Sequence, residues 1–484
     1  MDLQGQVLSA LRWNALAKFG TQLISWVITI AVMRLLTPGD YGLVAMATVA
    51  IAFLSGLADL GLGGAIVQAS SITERQLRQV QGAVLLVGAV MSAVIWAGAP
   101  LIEWWFAESR LVPFVRVIAF EILVGSFASV SHALLLREMR FRAISGIEIV
   151  AGIATGLLTL ALAWKGWGAW SLVLASLARA IMSASAVVAV SGRWVRPAFS
   201  FYGIEKLLSF GGLSSGAQLL YRLNNQLEVL IGGRLLGKDA LGAFSVAMHL
   251  ANLPASKLAS VVGDVILPTF ARLQSASASY QRALLTGVSL MSFALCPVFM
   301  GLSALAPELV SVLLGERWHV AIAPLVVLPL AVPFRMIAGF LASAAAGLGH
   351  PIASVRLQSL KFMLIVPALI LGAHWGLIGL SIGATVMYPI VLWITVSHVA
   401  RLAGISPTAL ARSFLRPLLM SLLTYAPVLL LRELLPSDVN ALVKLIVFGL
   451  TMALGYLALS STFNKVQFRS FWSFTRQLGR GGAL

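Results

Sequence analysis

Charge is scarce in this chain, and the scarcity excludes more than any other feature. Asp, Glu, Lys and Arg make up 11% of its 484 residues, where a soluble domain carries about 25%. Hydrophobic residues reach 59% and the mean hydropathy is +0.94, more apolar surface than a soluble fold of this size could hide. Cysteine is nearly missing: Cys296 stands alone within an apolar run, which excludes an intramolecular disulfide and suggests no thiol chemistry. Acidic residues are half as numerous as basic ones, 17 against 34. The excess of base comes without any RNA- or DNA-binding motif and is spread over short loops, so nucleic acid is not an expected partner. The histidines, His132, His249 and His319 among them, share no ligand spacing, and no metal is expected. No cleavable signal peptide is apparent, since the first apolar stretch is long enough to stay as an anchor.

What the chain does have is apolar stretches of about 20 residues, the length that crosses a bilayer as a helix. They recur from end to end without the strict alternation of a membrane barrel, so the spans are helices. Punctuation by Gly, Pro and charge divides them into fourteen, from 13–36 and 41–66 to 414–435 and 440–462. The expected fold is an all-α polytopic membrane protein. With the N-terminus inside, 21 of the 34 Lys and Arg fall on inner segments and nine on outer ones, the other four lying within spans. That bias places both termini in the cytoplasm.

Residues 33–42 read MRLLTPGDYG and residues 233–242 read GRLLGKDALG. Both hold Arg-Leu-Leu, five residues, then Gly, and each joins a span to the next on the same side of the membrane. A second echo supports them: WGAWSL at 167–172 and WGLIGL at 375–380 open the sixth and twelfth spans. Two offsets near 200 at equivalent places imply two parallel six-helix lobes related by an axis along the membrane normal. The expected organisation is a first lobe over 1–200, a second over 201–405, and two extra spans with a basic cytoplasmic tail over 406–484. Gly42 and Gly242 are suited to close helix approach, and Thr37 or Asp40 to capping the second span.

Ionisable residues inside a membrane cost about 2.5–3.5 kcal/mol each on insertion scales, so each asks for a reason. In YRLNNQLE, Arg222, Asn225 and Glu228 recur every three residues on one helix face, with Asn224 beside them. This stripe either binds a polar passenger or holds the lobe together through an internal pair. Lys257, Arg335 and Arg179 are further deep cations, and four of them, with Arg222, suit an anionic passenger. Asp59 and Glu121 are buried carboxylates that could exchange protons, or serve helix packing. Arg137, Arg140 and Arg142 in LLLREMRFRAI read as a topology signal attracted to anionic lipid, or as a cytoplasmic gate.

The chain resembles the Wzx-type polysaccharide flippases, the O-antigen and teichuronic acid exporters of the multidrug/oligosaccharidyl-lipid/polysaccharide exporter superfamily. The residues that carry the resemblance are RLLTPGDYGLVAMATVAIAFLSGLADLGLGGAIVQ (34–68), LLLREMRFRAI (134–144), YRLNNQLEVLIGGRLLGKDALGAFSVA (221–247) and ILPTFARLQ (266–274). The family's pattern often has Asp where this chain has Glu228. The resemblance implies movement of an undecaprenyl-diphosphate-linked oligosaccharide across the bacterial cytoplasmic membrane by alternating access, with an H+ or Na+ gradient as a candidate drive. It implies membrane lipids as surroundings, and a glycan polymerase or biosynthesis complex as a candidate partner. A drug/cation antiporter of the same superfamily is the alternative, though acidic rather than basic deep residues suit that cargo. No cofactor is implied. An enzyme such as a polymerase or ligase is not expected, because no outer loop is long enough for a catalytic platform.

Overall fold

A computed structural model describes residues 24–58, 64–200 except 65, 68 and 70, 205–272, 277–348, 352–436 and 438–479. Among the described residues every regular element is a helix. Ten helices among the described residues are long and apolar enough to cross a membrane, or eleven if the bent pair Ile24–Leu35 and Pro38–Val49 is one span. The expectation of an all-α, many-span membrane protein holds; part of the fourteen-span pattern falls outside the described residues. The apolar exterior is the one a bilayer requires: Leu423, Leu430, Leu450 and Leu454 are all more than half exposed. Bulky tryptophans stand at span ends, with Trp164 and Trp375 at least three-quarters exposed, where an aromatic belt meets the headgroups.

By internal packing the chain divides into two compact units, Met1–Gly242 and Ala243–Leu484. The first unit contains α1 (Ile24–Leu35), α2 (Pro38–Ala58), α3 (Glu74–Phe106), α4 (Leu111–Arg137), α5 (Phe141–Trp164) and α6 (Ala169–Ser191). It also takes the first part of α7 (Glu205–Arg272), which breaks at Gly237. There φ is 78° and ψ is −179°, a conformation that only glycine adopts readily. The core of this unit joins α2, α3, α4 and α6 through Met46, Ile95, Phe114, Ile118 and Val173. Helix α3 starts with a capping box, Thr73 accepting from the Gln76 amide while the Gln76 side chain accepts from the Thr73 amide, which satisfies two of the helix's unpaired donors.

The second unit holds the rest of α7, then α8 (Ser277–Ala304), α9 (Ile322–Gly347), α10 (Ile352–Ala373), α11 (Gly376–Ala403), α12 (Pro407–Leu434), α13 (Ala441–Phe463) and α14 (Lys465–Gly479). Its core gathers Phe270, Phe299, Phe340, Leu392, Phe414 and Phe448. Helices α10 and α11 approach so closely that a Cβ at Gly379 would lie 2.1 Å from the Gly372 carbonyl oxygen, and one at Gly383 2.2 Å from that of Ala368. Small residues at such a crossing let dispersion and Cα–H contacts replace a hydrophobic drive that lipid does not supply. The second echo has a local meaning too. Gly168 and Gly376, each following the echoed tryptophan, both adopt positive φ, 53° and 70°, and each turns the chain into a new span.

Candidate functional site

The first unit holds an open cavity of about 610 Å³, lined from α2, α3, α4, α5 and α6. Its polar lining comes mostly from one face of α4. Glu121, Gly125, Ser129, His132 and Leu136 all line it, at the three- and four-residue spacing that keeps side chains on one side of a helix. Helix α6 supplies Ser176, whose hydroxyl donates to the Glu121 carboxylate. Helix α5 supplies Glu148, also lining the cavity, and its Oε2 accepts from Arg179 Nη2 at 2.7 Å. The Ser183 hydroxyl, another lining group, is buried with no protein partner. The cavity therefore offers two carboxylates, an imidazole and hydroxyls within an apolar bundle. Sequence reasoning singled out Glu121 and Arg179 but missed Glu148 and His132; the 3.6-residue period along 121–136 was the signal that contained His132, while Glu148, on α5, carried no such signal.

The repeated motif forms a second constellation. Both copies bend the chain: the first turns by 111° between α1 and α2, and the second breaks α7 at Gly237. The two bends pack on each other reciprocally. A Cβ at Gly42 would sit 1.8 Å from the Lys238 carbonyl oxygen, and one at Gly242 would sit 1.7 Å from that of Pro38. Lys238 and Pro38 hold corresponding places in the two copies, so the contact has the local two-fold character of the repeat. Around it, Thr37 donates its amide to Asp40 Oδ2 at 2.9 Å and its hydroxyl at 2.7 Å. Asp40 Oδ1 accepts from the Ala169 amide at 3.0 Å, so one carboxylate caps both α2 and α6.

Glu108, in the turn between α3 and α4, completes this elbow. Its Oε1 accepts from Arg110 Nε at 2.9 Å and its Oε2 from Lys238 Nζ at 2.7 Å. The hydrogen bond from Arg110 is the main reason its carboxyl is pushed down from 4.5 to about 2, against the opposing effect of burial, with Lys238 assisting. Arg110 is pushed up in turn, chiefly by Glu108. A depressed carboxylate contributes stability above its unfolded pKa and loses it as pH falls through the folded one. Wild type should therefore lose a stabilising increment between pH 4.5 and about 2, and Glu108→Gln should not. Arg110 is 55% exposed, so screening holds the difference to on the order of 1 kcal/mol; melting curves across that pH range check it.

The remaining predicted residues are placed as follows. On α7, Arg222 is half-buried, Asn224 fully buried, Asn225 exposed and Glu228 buried, so the three residues of the stripe do not share one degree of burial. Arg335 on α9 donates to the Asn252 side chain on α7. Arg137 Nη1 donates to the Ile66 carbonyl at 2.6 Å; Arg140, 3.8 Å from Glu138, and Arg142 are exposed. Asp59 and the side chain of Lys257 lie outside the described residues. Among the described residues no cluster of His, Cys, Asp or Glu could hold a metal. Lys361, which sequence analysis did not single out, is inside α10, 8% exposed, with its Nζ 5.6 Å from the Tyr388 ring on α11. The ring offers the ammonium a cation–π contact in place of water.

Comparison with known proteins agrees with this architecture. The model of a polysaccharide biosynthesis protein family matches residues 31–323. The chain is 23% identical over 393 residues to the lipopolysaccharide biosynthesis protein WzxC of Escherichia coli (strain K12), covering 79% of this chain and 78% of that one. It is 22% identical over 329 residues to the teichuronic acid biosynthesis protein TuaB of Bacillus subtilis (strain 168), covering 67% of each. Its fold resembles that of the lipid II flippase MurJ in an inward closed conformation, with a TM-score of 0.76, 15% identity, and coverage of 93% of this chain and 98% of that one. With the helical spans, the repeat and a family match over more than half its length, the chain belongs to the polysaccharide biosynthesis protein family.

Proposed function

We propose that this protein moves an undecaprenyl-diphosphate-linked oligosaccharide from the inner to the outer leaflet of the bacterial cytoplasmic membrane. The observation that carries this reading is the family match over 31–323 on a chain built of apolar helical spans. Relatives named for lipopolysaccharide and teichuronic acid biosynthesis support a glycan cargo, and the likeness to a lipid II flippase supports a fold suited to lipid-linked substrates. The chemistry of the chain is consistent with it. A diphosphate head needs cations and hydrogen-bond donors at membrane depth, and Arg222, Asn224, Asn225, Glu228, Lys257, Arg335 and Arg179 are assigned that role. The charge bias assigns both termini to the cytoplasm. Arg137, Arg140 and Arg142 then lie on the inner side, where a gate would close.

The drive is assigned to the cavity in the first unit. Glu121, held by Ser176 in a cavity that His132 and Glu148 also line, can take up and release H+ or Na+ as the lobes alternate, and Asp59 is its candidate companion. A glycan polymerase that consumes the flipped unit is the natural neighbour. A drug/cation antiporter is the rival reading, and cargo separates the two. In a strain lacking this protein, wild type should restore the surface glycan. Arg222→Ala should lower it about tenfold at unchanged protein level, the loss expected for one charge-assisted contact, with Arg222→Lys separating charge from geometry. If wild type restores no lipid-linked glycan, the flippase reading fails and the antiporter takes its place.

A further inference from the structure

The last helix, α14 (KVQFRSFWSFTRQLG), differs from every span before it: it is short, amphipathic and polar on average. Its apolar side is already occupied. Phe468 and Phe471 pack on Phe293, with ring centroids 6.3 and 5.0 Å apart, in a cluster completed by the buried Met420 and Tyr456. Gln467 donates to the Ser413 carbonyl on α12 at 3.1 Å, and Tyr456 donates to the Phe293 carbonyl at 3.0 Å. The helix is thus fixed to α8, α12 and α13 by its aromatic face.

What it presents outward is positive charge. Lys465 and Arg469 are exposed, and at about 100° per residue position 476, an arginine, falls on the same line. Trp472, 44% exposed, sits within that line. On α12, Arg412 and Arg416 flank the Ser413 anchor and are both exposed. Neither 401–432 nor 464–484 contains a single Asp or Glu. Four exposed cations, Lys465, Arg469, Arg412 and Arg416, thus gather on two adjoining helices with no carboxylate of their own segments to answer them. A mixed surface would dissipate such a field; this one keeps it.

We infer that α14 and the start of α12 form a docking surface for the headgroups of anionic phospholipids. Charge complementarity selects the occupant. A basic, tryptophan-bearing amphipathic helix beside membrane spans meets anionic headgroups at the plane of the membrane, and the interfacial tryptophan suits a boundary that is wet on one side only. Because protein already fills the apolar side of α14, binding here is electrostatic and local rather than by deep insertion. The inference goes beyond the flippase reading and does not need it, since it requires no glycan and no transport.

The test uses the purified full chain in neutral detergent, titrated with fluorescent phosphatidylglycerol or phosphatidylcholine. Wild type should bind phosphatidylglycerol and not phosphatidylcholine, more weakly as salt rises. One basic group near an anionic surface contributes roughly a fivefold factor, so Lys465→Gln/Arg469→Gln/Arg476→Gln together should weaken binding about a hundredfold. The charge-preserving set Lys465→Arg/Arg469→Lys/Arg476→Lys should stay within about threefold. Arg412→Gln/Arg416→Gln, away from the aromatic anchor, should cost about 25-fold by the same factor and reports even if the triple variant does not assemble. Unchanged binding in the glutamine variants, equal binding of phosphatidylcholine, or displacement of the lipid by polyglutamate at physiological salt would overturn the inference. The last outcome would make this a site for an acidic polypeptide. A chain that binds phosphatidylglycerol but moves no glycan refutes only the flippase reading.

Discussion

Gly42→Ala and Gly242→Ala are each expected to destabilise the protein severely and to lower glycan export with it. The added Cβ would lie 1.8 Å from the Lys238 oxygen in one case and 1.7 Å from the Pro38 oxygen in the other. Carbon and oxygen approach comfortably at about 3.3–3.6 Å, so two backbones must part by about 1.5 Å. No flexible side chain can yield instead, because each obstructing atom is main chain. Overpacking costs about 1–3 kcal/mol and more where backbone must move; the upper end applies here. The double variant should cost less than the sum of the singles, since one separation relieves both clashes and the sites are coupled. Gly98→Ala, in α3 with nothing within 4 Å of the new methyl, is the control. It should be neutral or gain up to about 1 kcal/mol from helix propensity. Thermal unfolding of the solubilised variants reads all four, and a Gly42→Ala protein as stable as Gly98→Ala would refute the reciprocal packing.

Arg432→Met should be nearly as damaging, for the opposite reason. Glu308, whose side chain is 7% exposed, accepts from Arg432 Nε at 3.2 Å and Nη2 at 2.8 Å. The same guanidinium donates to the Ala304 carbonyl at 2.6 Å, one of the unpaired carbonyls at the end of α8, and lies 5.6 Å from the Phe448 ring. Removing the arginine leaves a buried carboxylate and a bare helix end, a loss of about 3–5 kcal/mol. Glu308→Gln keeps the shape and some of the hydrogen bonding, and should cost only about 1–2 kcal/mol. The pair Glu308→Met/Arg432→Met should recover most of the loss, because replacing a buried ion pair whole is often neutral. If Arg432→Met is as mild as Glu308→Gln, the guanidinium is not compensating a buried charge.

The class of fold is readable in the sequence because lipid imposes one rule everywhere: an unpaired backbone group is intolerable, so long apolar runs are helices. The repeat is readable as a repeat. Its purpose is not, because the reason for Gly42 lies 196 residues away at Lys238 and close approach leaves no local mark. Asp40 shows the same division. Its cap on α2 follows from Thr37-Pro38-Gly39-Asp40, whereas its bond to the Ala169 amide joins elements that sequence does not bring together. His132 looks scattered when judged by metal spacing alone and joins Glu121 only when the face of α4 is followed. Lys361 is tolerated within its helix by a partner on another one, Tyr388, which nothing in its own segment announces.

The cargo can be followed directly across a bilayer. Purified protein is reconstituted into vesicles carrying a fluorescent undecaprenyl-diphosphate-linked oligosaccharide on the inner leaflet, and its appearance outside is followed with and without an imposed proton gradient. Movement is expected well above protein-free vesicles, accelerated by the gradient in wild type but not in Glu121→Gln, and lowered about tenfold in Arg222→Ala. Vesicles that release a cationic dye while the glycan lipid stays on its leaflet would contradict the flippase reading.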